Sequence, residues 1–357
     1  MKVRTCIYFN DHKEDVLVAS TLIDVLYFII KETYLSKDTI CIANPTCVDN
    51  ETLSDFLTYI LAYPQNVKTP KVIVSNAVVT QPQISYEGFK GGKIICFSGG
   101  VDSTGAILKS IDDGIFPIAL WCDYGQPYKN EEKKSVEAIC RMLNIPLIEA
   151  TLDISEFIAV GGARFGHIFP ARNLLISAIG LCFKPSKLEL AGLCDEMSVP
   201  DKSMRMYNEF GQYFGVPLTT PFGDKTKADV LCMWQKSWKK YLDANITTSC
   251  YGTNGECQNC SACAKREIAF VASGYHKNFP IVFVNQYELI ERHWFSRIDL
   301  FQYKRRTDIL ISLNHFLGNL TSKLQRLVVT NCDKYKNEIE RRWNELKREG
   351  GTIDELY

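Results

Sequence analysis

The segment IICFSGGVDSTGAILKSI, residues 94–111, admits few backbone solutions. Ile94, Ile95, Cys96 and Phe97 form a continuous apolar run, the pattern of a parallel strand covered on both faces. Gly99 and Gly100 then let the chain turn sharply without a Cβ, and Ala106, Ile107, Leu108 and Ile111 continue at helical spacing. The reading is strand, glycine turn, helix. A helix start presents unbonded N–H groups and the positive end of the macrodipole, so a glycine-lined turn there cradles an anion, most often phosphate. Ser98, Ser103 and Thr104 add hydroxyl donors, and Asp102 is placed to cap the helix or to help hold a metal-bound phosphate.

Two common phosphate loops are excluded by spacing. A Walker-type loop needs a lysine directly after its second glycine, and here the first lysine is Lys109. The dinucleotide fingerprint needs G-x-G-x-x-G, which Gly99-Gly100 does not satisfy, although Asp123 stands where its acidic residue would fall. The pattern S-G-G-x-D-S after a strand instead resembles the PP-loop ATP pyrophosphatases. That resemblance implies that residues 98–104, Val101 included, bind ATP, with pyrophosphate as the leaving group.

Strand and helix patterns alternate beyond this turn. FPIALWCDYG, residues 116–125, reads as a second strand and NEEKKSVEAICRMLNI as a helix, with Val136, Ile139, Cys140 and Leu143 on one face. PLIEATLDI is a third strand, RNLLISAIGLCFK an apolar helix and KLELAGLC a fourth strand. The alternation predicts an α/β fold with a right-handed, doubly wound parallel sheet. In such sheets ligands bind at the carboxyl ends of the strands, which here carry SGGVDS, DYGQ and CDEMSVPD.

Composition narrows the class. The 357 residues suffice for two or three domains, and 46% hydrophobic with 23% charged residues is ordinary for a globular protein. Lys plus Arg equals Asp plus Glu at 41 each, so no overall field points to nucleic acid or an anionic membrane. The most apolar helical candidate, STLIDVLYFIIKET, contains Asp24 and is too short to span a bilayer. Charges near the start replace the apolar region of a signal peptide, so the expected location is the cytoplasm. Of the fourteen cysteines, Cys96, Cys122, Cys140 and Cys182 fall in apolar runs as small hydrophobes. Cys250, Cys257, Cys260 and Cys263 differ: their spacing, C-x6-C-x2-C-x2-C, suits four thiolates on one structural zinc ion, with iron–sulfur ligation as the chemical rival.

The ordered segments SGGVDS, DYGQPYKNEE, FPARN, LAGLCDEMSVPD, TPFGDKTKADVL and CYGTNGECQNCSACAKREIAF, within residues 92–271, resemble the 7-cyano-7-deazaguanine synthase (QueC) family. The resemblance implies a PP-loop fold with structural zinc, an ATP and Mg²⁺ requirement, and adenylation of the carboxylate of 7-carboxy-7-deazaguanine. It assigns catalytic roles to Asp102, Ser103, Arg172 and Lys227, the last two balancing charge at the α-phosphate. Tyr124, Gln126, Asn173, Asp195 and Asp201 become the substrate-binding set, with Asp201 on the guanidine-like edge. This chain departs from the pattern where Tyr128 stands near an expected histidine and where Lys202 follows Val199-Pro200-Asp201.

Three domains follow: an N-terminal α/β extension (1–91), the PP-loop domain with its four-cysteine site (92–272) and a helical C-terminal extension (273–357). Within the first, strands are expected at VRTCIYF, TICIAN and KVIVSN, and helices over roughly 20–33 and at ETLSDFLTYILAY. The resemblance leaves two acceptors open, ammonia or an amine on a partner protein, the latter as in QueC-like proteins of bacterial antiphage clusters. A nucleotide-binding scaffold without chemistry is the alternative. Oligomeric state, homo-oligomer included, stays open.

Overall fold

Alternate residues of the central strands belong to different apolar cores, and this divides the protein into layers. The computed structural model describes residues 2–9, 12–19, 23, 24, 26, 28, 29, 38–43, 49–61, 71–75, 92–126, 128–152, 172–193, 216–250, 261–276 and 326. Before residue 92 these include β1 (Lys2–Phe9), β2 (His12–Ala19), β3 (Thr39–Ala43), α1 (Asn50–Leu61) and β4 (Lys71–Ser75). Then follow β5 (Lys93–Cys96), α2 (Val101–Asp112), β6 (Pro117–Asp123), α3 (Lys129–Leu143), β7 (Leu147–Thr151), α4 (Arg172–Leu181), β8 (Lys187–Leu190), β9 (Leu218–Thr219), α5 (Lys227–Met233) and α6 (Ser261–Ala272). A π-helical turn, Trp234–Trp238, extends α5, and a 3-10 turn covers Ala244–Ile246.

Seven strands form one sheet in the order β2-β1-β7-β6-β5-β8-β9. Strands β7 through β9 in that order are mutually parallel, as expected from the strand–helix alternation. Ile94, Ile118, Leu120, Ile148 and Leu188 point into one core with α4, while Ile95, Ala119, Trp121 and Leu147 point into the other with α2, α3, α5 and α6. Both faces are covered, which is why these strands read as unbroken apolar runs.

The start of the chain adds to this sheet. β1 pairs antiparallel with β7, placing Ile7 opposite Ile148, and β2 pairs antiparallel with β1. β1 lies where VRTCIYF is expected to form a strand, whereas HKEDVLVA opens with charged residues and gave no sign of β2. β3 and β4 form a separate parallel pair. Ile40, Ile42, Leu53, Leu57 and Val72 nevertheless join the core of the α4 face, as do Ile23, Leu26 and Ile29 of the helical stretch expected over 20–33. Of the helices expected after residue 276, only Arg326 is among the described residues, and it is helical.

Cys96, Cys122, Cys140 and Cys182 are buried, as small hydrophobes should be. Burial pushes the Cys96 thiol up to about 12 and Cys122 well above its ordinary value, so both are neutral packing groups.

Candidate active site

Strand order reverses at β5, whose neighbours are β6 on one side and β8 on the other. Ligands in open α/β sheets bind at the carboxyl end of such a switch point, and here that end carries the glycine turn. The Phe97 amide donates to Leu120 O at 2.7 Å, so sheet pairing continues one residue past β5 before the chain leaves it. Gly99 has φ +70°, and a Cβ there would stand 2.9 Å from Ser135 Oγ on α3. Both conformation and space therefore demand glycine. Gly100 is the N-cap of α2, and the Thr104 amide closes the first turn on its carbonyl at 3.0 Å.

The hydroxyls of the turn meet at its rim. Ser103 Oγ accepts from the Ser98 amide at 3.3 Å and lies 3.2 Å from Ser98 Oγ, leaving Ser98 exposed. Val101 and Thr104 are fully buried and anchor the helix start in the core. Asp102 occupies the first turn of α2, where the macrodipole favours an anion. Its carboxylate pairs with the ammonium of Lys227, 125 residues away in sequence.

Lys227 is the first residue of α5, held there by a reciprocal capping box. The Thr226 hydroxyl accepts from the Asp229 amide at 3.2 Å, and Asp229 Oδ2 accepts from the Thr226 amide at 2.8 Å. A cation at a helix start sits against the macrodipole, an arrangement that helix stability alone does not explain. Asp102 offsets it. The result is an ion pair at the start of two helices, beside the glycine turn that feeds α2.

The second polar strand end is a closed turn. Gln126 is buried and accepts from the Tyr124 amide at 2.9 Å while donating to Cys122 O at 3.1 Å and Glu132 Oε2 at 2.9 Å. Tyr124 and Tyr128 are buried with their hydroxyls 3.1 Å apart. Arg172 opens α4, the helix running back from the strands' carboxyl edge, and the next residue, Asn173, is buried. Asp195 and Asp201 lie outside the described residues, as do Cys257 and Cys260. Cys250 and Cys263 are described, and both are buried in the core that contains α2 and α5. Among the described residues no group of three or more His, Cys, Asp or Glu is placed to hold a metal ion.

Sequence reasoning did not single out the segment 244–249, yet it touches the glycine turn directly. The Thr248 amide donates to Gly99 O at 3.0 Å. Arg266 on α6 donates to Asn245 O at 3.4 Å and pairs with Glu267 at 2.7 Å; His276 spans Glu267 Oε2 at 3.1 Å and Asn245 Oδ1 at 2.9 Å. Helix α6, which follows the cysteine stretch, is thereby tied through Asn245 to the segment that contacts the glycine turn. No local pattern in the sequence announces contacts of this range.

A parallel sheet ordered β7-β6-β5-β8-β9, with a serine-glycine turn feeding a helix at its switch point, defines an α/β protein of the PP-loop type. The chain belongs to the QueC family: the family model described as Queuosine biosynthesis protein QueC matches residues 92–164 and 167–274, just over half of the chain. Similar curated proteins include the 7-cyano-7-deazaguanine synthase of Saccharolobus solfataricus, 26% identical over 57% of this chain and 50% of its own length. The 7-cyano-7-deazaguanine synthase 1 of Sulfurisphaera tokodaii is 28% identical over 50% of this chain and 91% of its own. That of Pseudoalteromonas translucida is 27% identical over 50% of this chain and 92% of its own. The chain spans only about half the length of the Saccharolobus solfataricus protein, and 46% of that of the similar 7-cyano-7-deazaguanine synthase of Sulfolobus acidocaldarius. At this identity it is a divergent member.

Proposed function

We propose that this protein uses ATP to adenylate the carboxylate of 7-carboxy-7-deazaguanine and passes the activated acyl group to an amine. The observation that carries this reading is the meeting of Lys227 with Asp102 at the mouth of the glycine turn. The relatives' name, 7-cyano-7-deazaguanine synthase, supplies the substrate class. A carboxylate resists amines because oxide is a poor leaving group. In the proposed reaction a carboxylate oxygen attacks the α-phosphorus and the bond to the β-phosphate oxygen breaks, releasing pyrophosphate. An amine then attacks the acyl carbon, loses a proton and expels AMP. With ammonia the product is the amide. A second ATP adenylates the amide oxygen with release of pyrophosphate, and loss of AMP and, over the two steps, both N–H protons gives the nitrile.

In this reading the Ser98, Gly99, Gly100 and Ser103 loop holds the phosphates. Lys227 and Arg172 stabilise charge that grows in the transition state. Asp102 would offer a hard oxygen to Mg²⁺, which on arriving with ATP would neutralise phosphate charge there. Tyr124, Asn173, Asp195 and Asp201 bind the deazapurine, while Gln126 shapes the turn that presents Tyr124. We also assign structural zinc to Cys250, Cys257, Cys260 and Cys263, since four thiolates close a tetrahedral site; elemental analysis checks this, with iron and sulfide as the overturning result.

Chromatography of reactions containing ATP and 7-carboxy-7-deazaguanine should show AMP and pyrophosphate. ADP as the nucleotide product would overturn the assignment. Ammonia is the acceptor that the relatives' name favours. The two extensions outside the PP-loop domain, residues 1–91 and 273–357, are the features that would favour a docked partner and a protein amine, as in an antiphage system, and a mass gain on a co-expressed partner would select that acceptor.

A further inference from the structure

The Gly99 carbonyl receives two donors from distant parts of the chain, the Thr248 amide at 3.0 Å and Ser135 Oγ at 3.4 Å. In a trans peptide the C=O and the following N–H point in opposite directions. Anchoring the Gly99 oxygen toward α3 and Thr248 therefore turns the Gly100 N–H away from both, onto the opposite side of the turn. Gly100 is the N-cap residue, so this N–H lies just ahead of the first-turn amides of α2 and extends their array. Ser135 is buried beneath the turn, and its one hydroxyl proton is shared between Gly99 O at 3.4 Å and Ile246 O at 3.3 Å. It bridges the glycine turn to the segment that carries Thr248.

We propose that Ser135 and the Thr248 amide are positioning elements that hold the Gly99–Gly100 peptide with its N–H presented to the pyrophosphate moiety of ATP. The inference rests on the phosphate-loop reading above. A peptide between two glycines lacks the Cβ contacts that resist rotation, so a donor there is preorganised only if something else fixes the carbonyl. An amide held in place needs no reorganisation when phosphate charge arrives, and this is the source of its advantage over water. Ser135 does not touch the nucleotide; it acts through the peptide.

Calorimetric titration of the full chain with inorganic pyrophosphate and with AMP, each with Mg²⁺, tests this. Ser135→Ala places a strong helix former in α3, so the fold should persist. The dissociation constant for pyrophosphate should rise about three- to tenfold, the effect of one lost hydrogen bond, with that for AMP unchanged. Unchanged pyrophosphate affinity, or an equal loss for both ligands, overturns the proposal, because general loosening would weaken both. Hydrogen exchange in the unsubstituted protein gives a second arm: pyrophosphate should slow exchange at Gly100, and no slowing overturns the proposal without any variant. If the unsubstituted protein binds no pyrophosphate, the phosphate-loop reading fails first and takes this inference with it.

Discussion

At the scale of single residues, Lys227 carries the most chemical information. It is partly buried, starts a helix against the macrodipole and finds its counter-charge in another segment of the chain. If it serves only as a structural partner of Asp102, Lys227→Met should lower stability and leave turnover per folded molecule nearly intact. If it stabilises phosphate charge, the same change should reduce substrate-dependent pyrophosphate release about 10²–10³-fold, with the melting temperature little changed. We expect the second outcome, read by coupled pyrophosphate assay alongside thermal denaturation. The loop residues Ser98 to Thr104 were legible because all of their chemistry is local: strand, turn and helix start are adjacent in sequence. Lys227 was legible only through the order of family motifs, since a lysine near an aspartate is otherwise a common surface pattern. Ser135 was not legible at all. Its role depends on a carbonyl 36 residues away and another 111 residues away.

At the scale of elements, the Asp102–Lys227 pair depends on how closely α2 and α5 approach. Gly105 sets that distance: a Cβ there would lie 2.8 Å from Val230 Cγ1 and 3.4 Å from the Phe222 ring. Both neighbours are fully buried or nearly so, leaving little room to yield. Alanine at a helix interior normally gains about 1 kcal/mol over glycine. Here overpacking, which costs about 1–3 kcal/mol, should outweigh that gain. Gly105→Ala is therefore expected to destabilise the protein by up to about 2 kcal/mol, and to slow pyrophosphate release by displacing Lys227 from Asp102. Denaturant unfolding and steady-state rates check the two parts; a more stable and equally active variant would show that α5 does not set the site geometry. The alternation of β5, α2, β6, α3 and β7 was legible from apolar runs because a doubly covered parallel strand has no polar face to hide. β2 was not, because its first four residues, His12 to Asp15, are polar or charged.

At the scale of the whole molecule, the family match begins at residue 92 but the sheet does not. β1 covers the edge of β7 through the register Arg4↔Thr151 to Tyr8↔Leu147, and Val3 and Ile7 are buried in the same core as Ile148. Ile40, Leu53, Leu57 and Val72 add to the α4 face of that core. Each such aliphatic side chain contributes about 1.5–3 kcal/mol on full burial, so together they rival the whole stability of an ordinary domain. The strand and helix patterns before residue 92 made 1–91 readable as an α/β extension, but nothing in them disclosed that β1 would join the sheet of the later strands. Removing residues 1–91 should therefore leave the β7 edge unpaired and part of the α4 face of the central sheet uncovered. The expected product is a protein that aggregates or melts well below the full chain, even though every residue assigned to phosphate binding is retained. Restoring residues 1–91 as a separate polypeptide should rescue solubility if the interface is energetically continuous with the core. A truncated protein that is monodisperse by light scattering, melts like the full chain and releases pyrophosphate at the same rate would show instead that the PP-loop unit stands alone and that the N-terminal region is an attached module, free to serve an acceptor or partner.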